Sequence, residues 1–165
     1  MNTKQKTGIA MMAVVFGLIL SPAIAPSEAN AIKTNDAIEA TEYTFSMRGA
    51  LTASEGDKPF GSDHVVGHYF IRANDHQVNI EAEFESTSSP NFVLEGWLVD
   101  VDTGFKLSTG LFTDETNANR LNITQEIANP WIYDVFVVTQ EPIVDDDPNP
   151  HTPVGGIALS KPFGQ

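Results

Sequence analysis

Val78-Asn79-Ile80-Glu81-Ala82-Glu83-Phe84-Glu85 sets apolar residues at the even positions and polar ones at the odd positions without a break. That period of two is the pattern of a strand with one face in the core and the other in water. Glu81, Glu83 and Glu85 form a carboxylate ladder on the wet face, about 7 Å apart along the strand, where solvent screens their repulsion. Such a ladder also resists pairing with a foreign strand. Ala73-Asn74-Asp75, just before it, holds residues that tolerate a left-handed backbone and predicts a hairpin with His64–Arg72. Further upstream, Tyr43, Phe45, Met47 and Leu51 share one parity and read as another strand.

The downstream half continues in the same way. Phe92–Val101 is apolar around Trp97, and Asp102-Thr103-Gly104 turns the chain into Phe105–Phe112. Asp114–Asn119 reads as a polar loop, and Leu121, Ile123 and Ile127 mark a further strand. Trp131–Gln140 is the most β-prone stretch, rich in Val, Ile and aromatic residues. Pro142, Pro148, Pro150 and Pro153 predict an extended, unpaired course for Glu141–Gly155, followed by a short strand at Gly156–Ser160. Short strands with turns roughly every ten residues predict an all-β fold: an antiparallel β-sandwich of about seven or eight strands, immunoglobulin-like or of a related Greek-key architecture. Trp97 is expected in its core between two sheets, with one partner for its indole N–H.

The N-terminus has a different character. Lys4 and Lys6 precede the apolar run Ile9–Leu20, and small residues follow as far as Ala29-Asn30-Ala31. This is the order of a secretory signal peptide cleaved after Ala31. The run is shorter than the ~20 residues a membrane-spanning helix needs, though an uncleaved N-terminal anchor is the alternative. The expected organisation is therefore a signal peptide at 1–31, a polar lead-in at 32–41 and one domain at 42–165, secreted or held at the cell surface, with no membrane span in the exported part.

Composition narrows the function. The 165 residues carry 9 Lys+Arg against 22 Asp+Glu, a formal charge of -13, and the signal peptide takes away two lysines and one glutamate. Nucleic acid is excluded as a partner, because phosphate binding needs clustered cations. With no cysteine, disulfides, thiol nucleophiles and thiolate metal sites are excluded as well. No Gly-x-Ser-x-Gly elbow, His-Glu-x-x-His pair or phosphate-cradling glycine loop occurs, so the chain is read as not an enzyme.

Metal ligation has two candidate sets. His64 and His68 share a parity and His76 follows the hairpin turn, a set suited to a transition metal. Asp145, Asp146 and Asp147 lie in the Pro-braced loop and suit a hard cation such as calcium. Both sets have the plainer reading of strand histidines and a solvated acidic loop, and no cofactor is expected. Asp100–Gly104 is likewise read as a hairpin turn rather than a calcium loop.

Leu94-Glu95-Gly96-Trp97-Leu98-Val99-Asp100, Thr109-Gly110-Leu111-Phe112, Val137-Val138-Thr139-Gln140-Glu141-Pro142 and Pro150-His151-Thr152-Pro153-Val154-Gly155-Gly156-Ile157 form an ordered series. Over residues 93–160 it resembles the extracytoplasmic C-terminal domain of anti-sigma-K factors. The resemblance implies an extracytoplasmic β-sandwich that senses or binds something. Ile143-Val144 stands where that family usually has Gly-Gly, and the residues before Tyr43 are read as signal and lead-in rather than a sigma-binding domain. Sigma-factor binding is therefore not expected. The favoured reading is a secreted or envelope-associated, non-catalytic binding or sensory module whose partner is an extracytoplasmic protein or envelope ligand. A structural envelope protein assembling through strand edges, or a His-based metal-binding protein, is the alternative.

Overall fold

Alternation of small or apolar residues with polar ones carries directly into the strands of the computed structural model, which describes residues 42–85, 91–115, 118–144 and 147–165. The strands are β1 (Phe45–Ala53), β2 (Val65–Ala73), β3 (Gln77–Glu85), β4 (Phe92–Val99), β5 (Lys106–Leu111), β6 (Thr113–Glu115), β7 (Ala118–Glu126), β8 (Val135–Pro142) and β9 (Thr152–Ala158). One 3-10 turn, Pro130–Ile132, precedes β8 and is capped by the Asn129 side chain, which accepts from Trp131 N–H. The signal segment and the lead-in lie outside the described residues.

All neighbouring strands run antiparallel, in the order β5-β4-β8-β9-β1-β2-β3-β7-β6. The all-β antiparallel expectation holds. The nine strands lie in one sheet curled nearly into a barrel, where two facing sheets were expected. Both arrangements bury one face of each strand, so a period of two cannot tell them apart.

Phe112 shows how the curl closes. It joins β5 and β6, the two end strands of the sheet, so the chain itself crosses from one edge to the other. Its N–H donates to Leu94 O at 2.8 Å, and its buried ring meets Phe84 edge-on at 6.3 Å. Opposite sides of the curl also touch through Gly96. A Cβ there would lie 2.5 Å from Thr109 Oγ1 and 3.1 Å from Leu121 Cδ2 on β7, so only glycine permits this approach.

The core is the inside of the curl: Leu51, Ile71, Val78, Ile80, Phe84, Leu94, Leu98, Leu121, Phe136 and Val138, with Phe163 sealing one part. Each strand gives alternate residues to it, as its pattern requires. Three local expectations change. Asp114–Asn119 is not simply a loop, because β6 and the start of β7 pair there, Asp114 opposite Asn119. Trp131 sits in the 3-10 turn, ahead of the strand. The Pro-rich segment is paired at both ends, Pro142 opposite Phe92 and Pro153 opposite Thr139. A proline at an end position loses one donor without breaking the ladder beside it.

Candidate functional site

The outer face of β4, β5 and β8 departs most from the expectation that outward residues are simply solvated. On β4, Leu94, Gly96 and Leu98 point into the curl, so Val93, Glu95, Trp97 and Val99 point out. The register sets Val93 opposite Glu141, Glu95 opposite Thr139 and Trp97 opposite Val137. On the other side, Leu111 lies opposite Glu95, Ser108 opposite Trp97 and Lys106 opposite Val99. A slip in the register between Gly96 and Trp97 makes this spacing on β5 possible.

Trp97 is therefore buried, at 6% exposure, but outside the core cluster. This corrects its placement between two sheets. The neighbours that shield it are Lys106, Val99, Val137 and the Pro150–Pro153 segment, which line one small apolar cavity with it. Its indole N–H has the partner expected of it: it donates to Thr139 Oγ1 at 2.8 Å. Thr139 in turn donates to Glu141 Oε1. Glu141, 3% exposed, also accepts from the His151 N–H, at 2.9 Å to Oε1 and 3.2 Å to Oε2. Trp97, Thr139, Glu141 and the backbone at His151 thus form one hydrogen-bonded chain across two strands and the Pro-rich segment. A buried carboxylate held this way is desolvated but satisfied. Beside it, Ser108 donates to Glu95 Oε1 and accepts from the Gly110 N–H at 3.2 Å.

Of these groups, Glu95, Trp97, Ser108 and Glu141 line an open cavity of about 490 Å³. Glu95, Glu141 and Asp147 supply carboxylates and Lys106 one cation, while Val93, Leu111 and Ile143 supply apolar wall. Leu111 and Ile143 are 57% and 60% exposed. The Asn149 backbone and side-chain N–H groups hold the Asp147 carboxyl below the ordinary aspartate range, helped by the nearby charges of His151 and Lys106.

The sequence-derived metal candidates are spread out. His68 is on the outside of β2 opposite Glu83, and His64 lies before β2 with Nε2 4.0 Å from Glu85 Oε2. His76 is in the turn at the other end of the β2–β3 hairpin, about 20 Å from the His68 position at ~3.4 Å per residue. No group of three or more metal-ligating side chains occurs among the described residues. Asp147 lines the cavity, while Asp145 and Asp146 lie outside the described residues. Asp100–Gly104 is a hairpin turn, as read: the Asp100 N–H donates to Phe105 O, Gly104 has φ +75°, and Asp100 Oδ1 and Oδ2 accept from Asp102, Thr103 and the Thr103 hydroxyl.

Sequence reasoning passed over Glu95, Ser108, Thr139 and Glu141. The one signal available was Glu95 interrupting an apolar strand at the parity of Trp97, and Thr139 and Glu141 interrupting a second apolar strand; Ser108 gave none. Among the described residues no helix is long and apolar enough to cross a membrane. Comparison with protein-family models, curated proteins and solved structures gave no match.

Proposed function

We propose that this chain is an exported, non-catalytic binding module whose binding face is the outer surface of β4, β5 and β8. One observation carries the reading: a ligand-sized cavity there combines fixed carboxylates with exposed Leu111 and Ile143. Apolar side chains exposed beside a polar concavity are the usual mark of an interaction site. The carboxylates are tied to neighbours on the same sheet, which suits a rigid recognition surface better than a group that must exchange protons. Export is supported by the signal-like order of residues 1–31. The resemblance of residues 93–160 to the anti-sigma-K extracytoplasmic domain supports a sensory role outside the cytoplasm, without sigma-factor binding.

The other readings have less support. Assembly through strand edges would have to use β5 or β6, end strands of only six and three residues, and short edges of this kind resist pairing with another chain. A His-based site needs ligands close together, and His76 stands at the far end of the hairpin from His68.

Cross-linked capture from the native cell surface tests the proposal. A partner retained by the unaltered chain and by an Arg120→Gln control, and lost with Leu111→Ser/Ile143→Ser, supports it. Capture unchanged by the Leu111/Ile143 substitutions overturns the assignment of the face. Mass spectrometry of the exported protein is expected to find Ile32 at its N-terminus.

A further inference from the structure

We propose, resting on that reading, that the cavity takes a lysine or arginine side chain presented by a basic protein segment with apolar flanks. The cavity volume of about 490 Å³ lies within the ~300–1,000 Å³ usual for ligand sites. Glu95 and Glu141 are diagonal neighbours across β4 and β8, which puts their Cβ atoms within about 7–8 Å. A cationic head entering the cavity meets the half-buried Glu95 carboxylate directly and lies in the field of the buried Glu141 beside it. Each carboxylate can accept about four hydrogen bonds. Ser108 uses one of these on Glu95, and Thr139 and His151 use part of Glu141's. Lys106 is the cation of the wall, and Asp147 stands close enough to feel its charge, so the lining as a whole remains negative.

The apolar part of the wall decides what carries the cation. Val93, Leu111, Pro142 and Ile143 border the carboxylates, so a ligand that fills the site brings apolar groups beside its charge. A bare polyamine leaves that wall wet. A peptide with leucine-like residues next to lysine covers it. The chain's formal charge of -13 favours encounter with a cationic segment and opposes anionic membranes, nucleic acid and a second copy of itself.

The test is a titration of the unaltered chain with a blocked five-residue peptide alternating leucine and lysine, with the same peptide carrying glutamine for lysine, and with spermidine. The readout is the indole N–H resonance of Trp97, which lines the cavity and donates to Thr139. The Trp131 indole, which donates to Asp75 and lines another cavity, is the internal control. The expected result is a saturable shift of the Trp97 signal with the lysine peptide. Affinity for the glutamine peptide should be at least about tenfold lower, as should affinity of Glu95→Gln/Glu141→Gln for the lysine peptide. Because the peptide comparison uses the unaltered chain, it stands even if the double variant fails to fold. Equal affinity for both peptides, spermidine binding as tightly as the lysine peptide, or no Trp97 response at millimolar peptide would each overturn the inference. In any of those cases, capture lost through Leu111→Ser/Ile143→Ser would still uphold the binding face, so the two failures are distinct.

Discussion

The outer faces of the two halves of the sheet carry acidic residues, and they treat them in opposite ways. On β2, β3 and β7, Arg72 Nη2 donates to Glu81 Oε1 at 2.6 Å and to Asn79 Oδ1 at 2.7 Å, while Arg120 Nη2 is 3.3 Å from Glu83 Oε2. Arg72 also lies over the rings of Tyr43 and Phe70, at 5.2 and 5.1 Å. In the ladder that looks like a row of free glutamates in sequence, Glu81 and Glu83 are thus cross-linked by arginines from the strands on either side, and Glu85 faces His64. On β4, β5 and β8 the carboxylates are held by hydroxyl and backbone N–H groups instead. Those donors fix position without cancelling charge. The first face is arranged for solubility and strand register, and the second retains a negative potential in a concave, partly apolar setting. Charge count alone does not distinguish them; the identity of the partners does.

The largest expected effect comes from Trp97. Its replacement by alanine should cost about 3–5 kcal/mol, the range for a buried aromatic, read as a lower denaturation midpoint. Phe70→Ala, half-buried beneath Arg72 on the other face, should cost about 1 kcal/mol. Equal costs would erase the contrast between a covered face and an open one. Next is Thr139→Val, which keeps the shape but leaves the Trp97 N–H without its acceptor and Glu141 without its hydroxyl donor. A loss of about 1–3 kcal/mol is expected, whereas a neutral outcome would mean the chain of hydrogen bonds is dispensable.

Arg72→Met sharpens the comparison from the opposite side. Both side chains of the Arg72–Glu81 pair are partly exposed, so at most about 1 kcal/mol is expected. The difference from the unaltered chain should shrink in high salt, as it should for screened surface charges. A salt-insensitive loss would show that packing over Tyr43 and Phe70 matters more than charge.

The smallest effect is a titration. The Thr103 hydroxyl is the main cause of the lowered Asp100 pKa, followed by opposition from burial and further lowering by the Thr103 and Asp102 N–H groups. A depressed carboxylate adds stability above its unfolded pKa, and that contribution is lost as pH falls through the folded value. Thr103→Ala should move the Asp100 titration, followed by NMR, up towards the ordinary aspartate range. An unchanged titration would remove the hydroxyl from the account.

Much of the fold was legible because alternation is local. Val78–Phe84 and Phe45–Leu51 lie on the inner face as their parity requires. The Asn74 turn forms with the Asn74 side chain accepting from the His76 N–H at 2.9 Å. β6 was hidden because its three residues, Thr113–Glu115, are polar and acquire strand geometry only by pairing with β7. The candidate site was hidden for a related reason. Glu95 and Ser108 come from one hairpin, but Thr139 and Glu141 come from a strand that arrives much later in the chain; Trp97 and Thr139 are 42 residues apart. Nothing in either stretch alone indicates that they share a wall.

The sequence by itself determined that the described part of this chain is built of β-strands and which faces of most of those strands are apolar. Tertiary structure alone decided that the strands form one curled sheet, that Trp97 lies outside the core, and that Glu95 and Glu141 line one cavity. The physical reason is that side-chain parity is fixed every two residues along a strand, whereas cross-strand neighbours are fixed by register. Here register depends on slips at Leu51/Thr52, Gly96/Trp97 and Val138/Thr139, each a single-residue event between strands. A period of two carries no record of such slips.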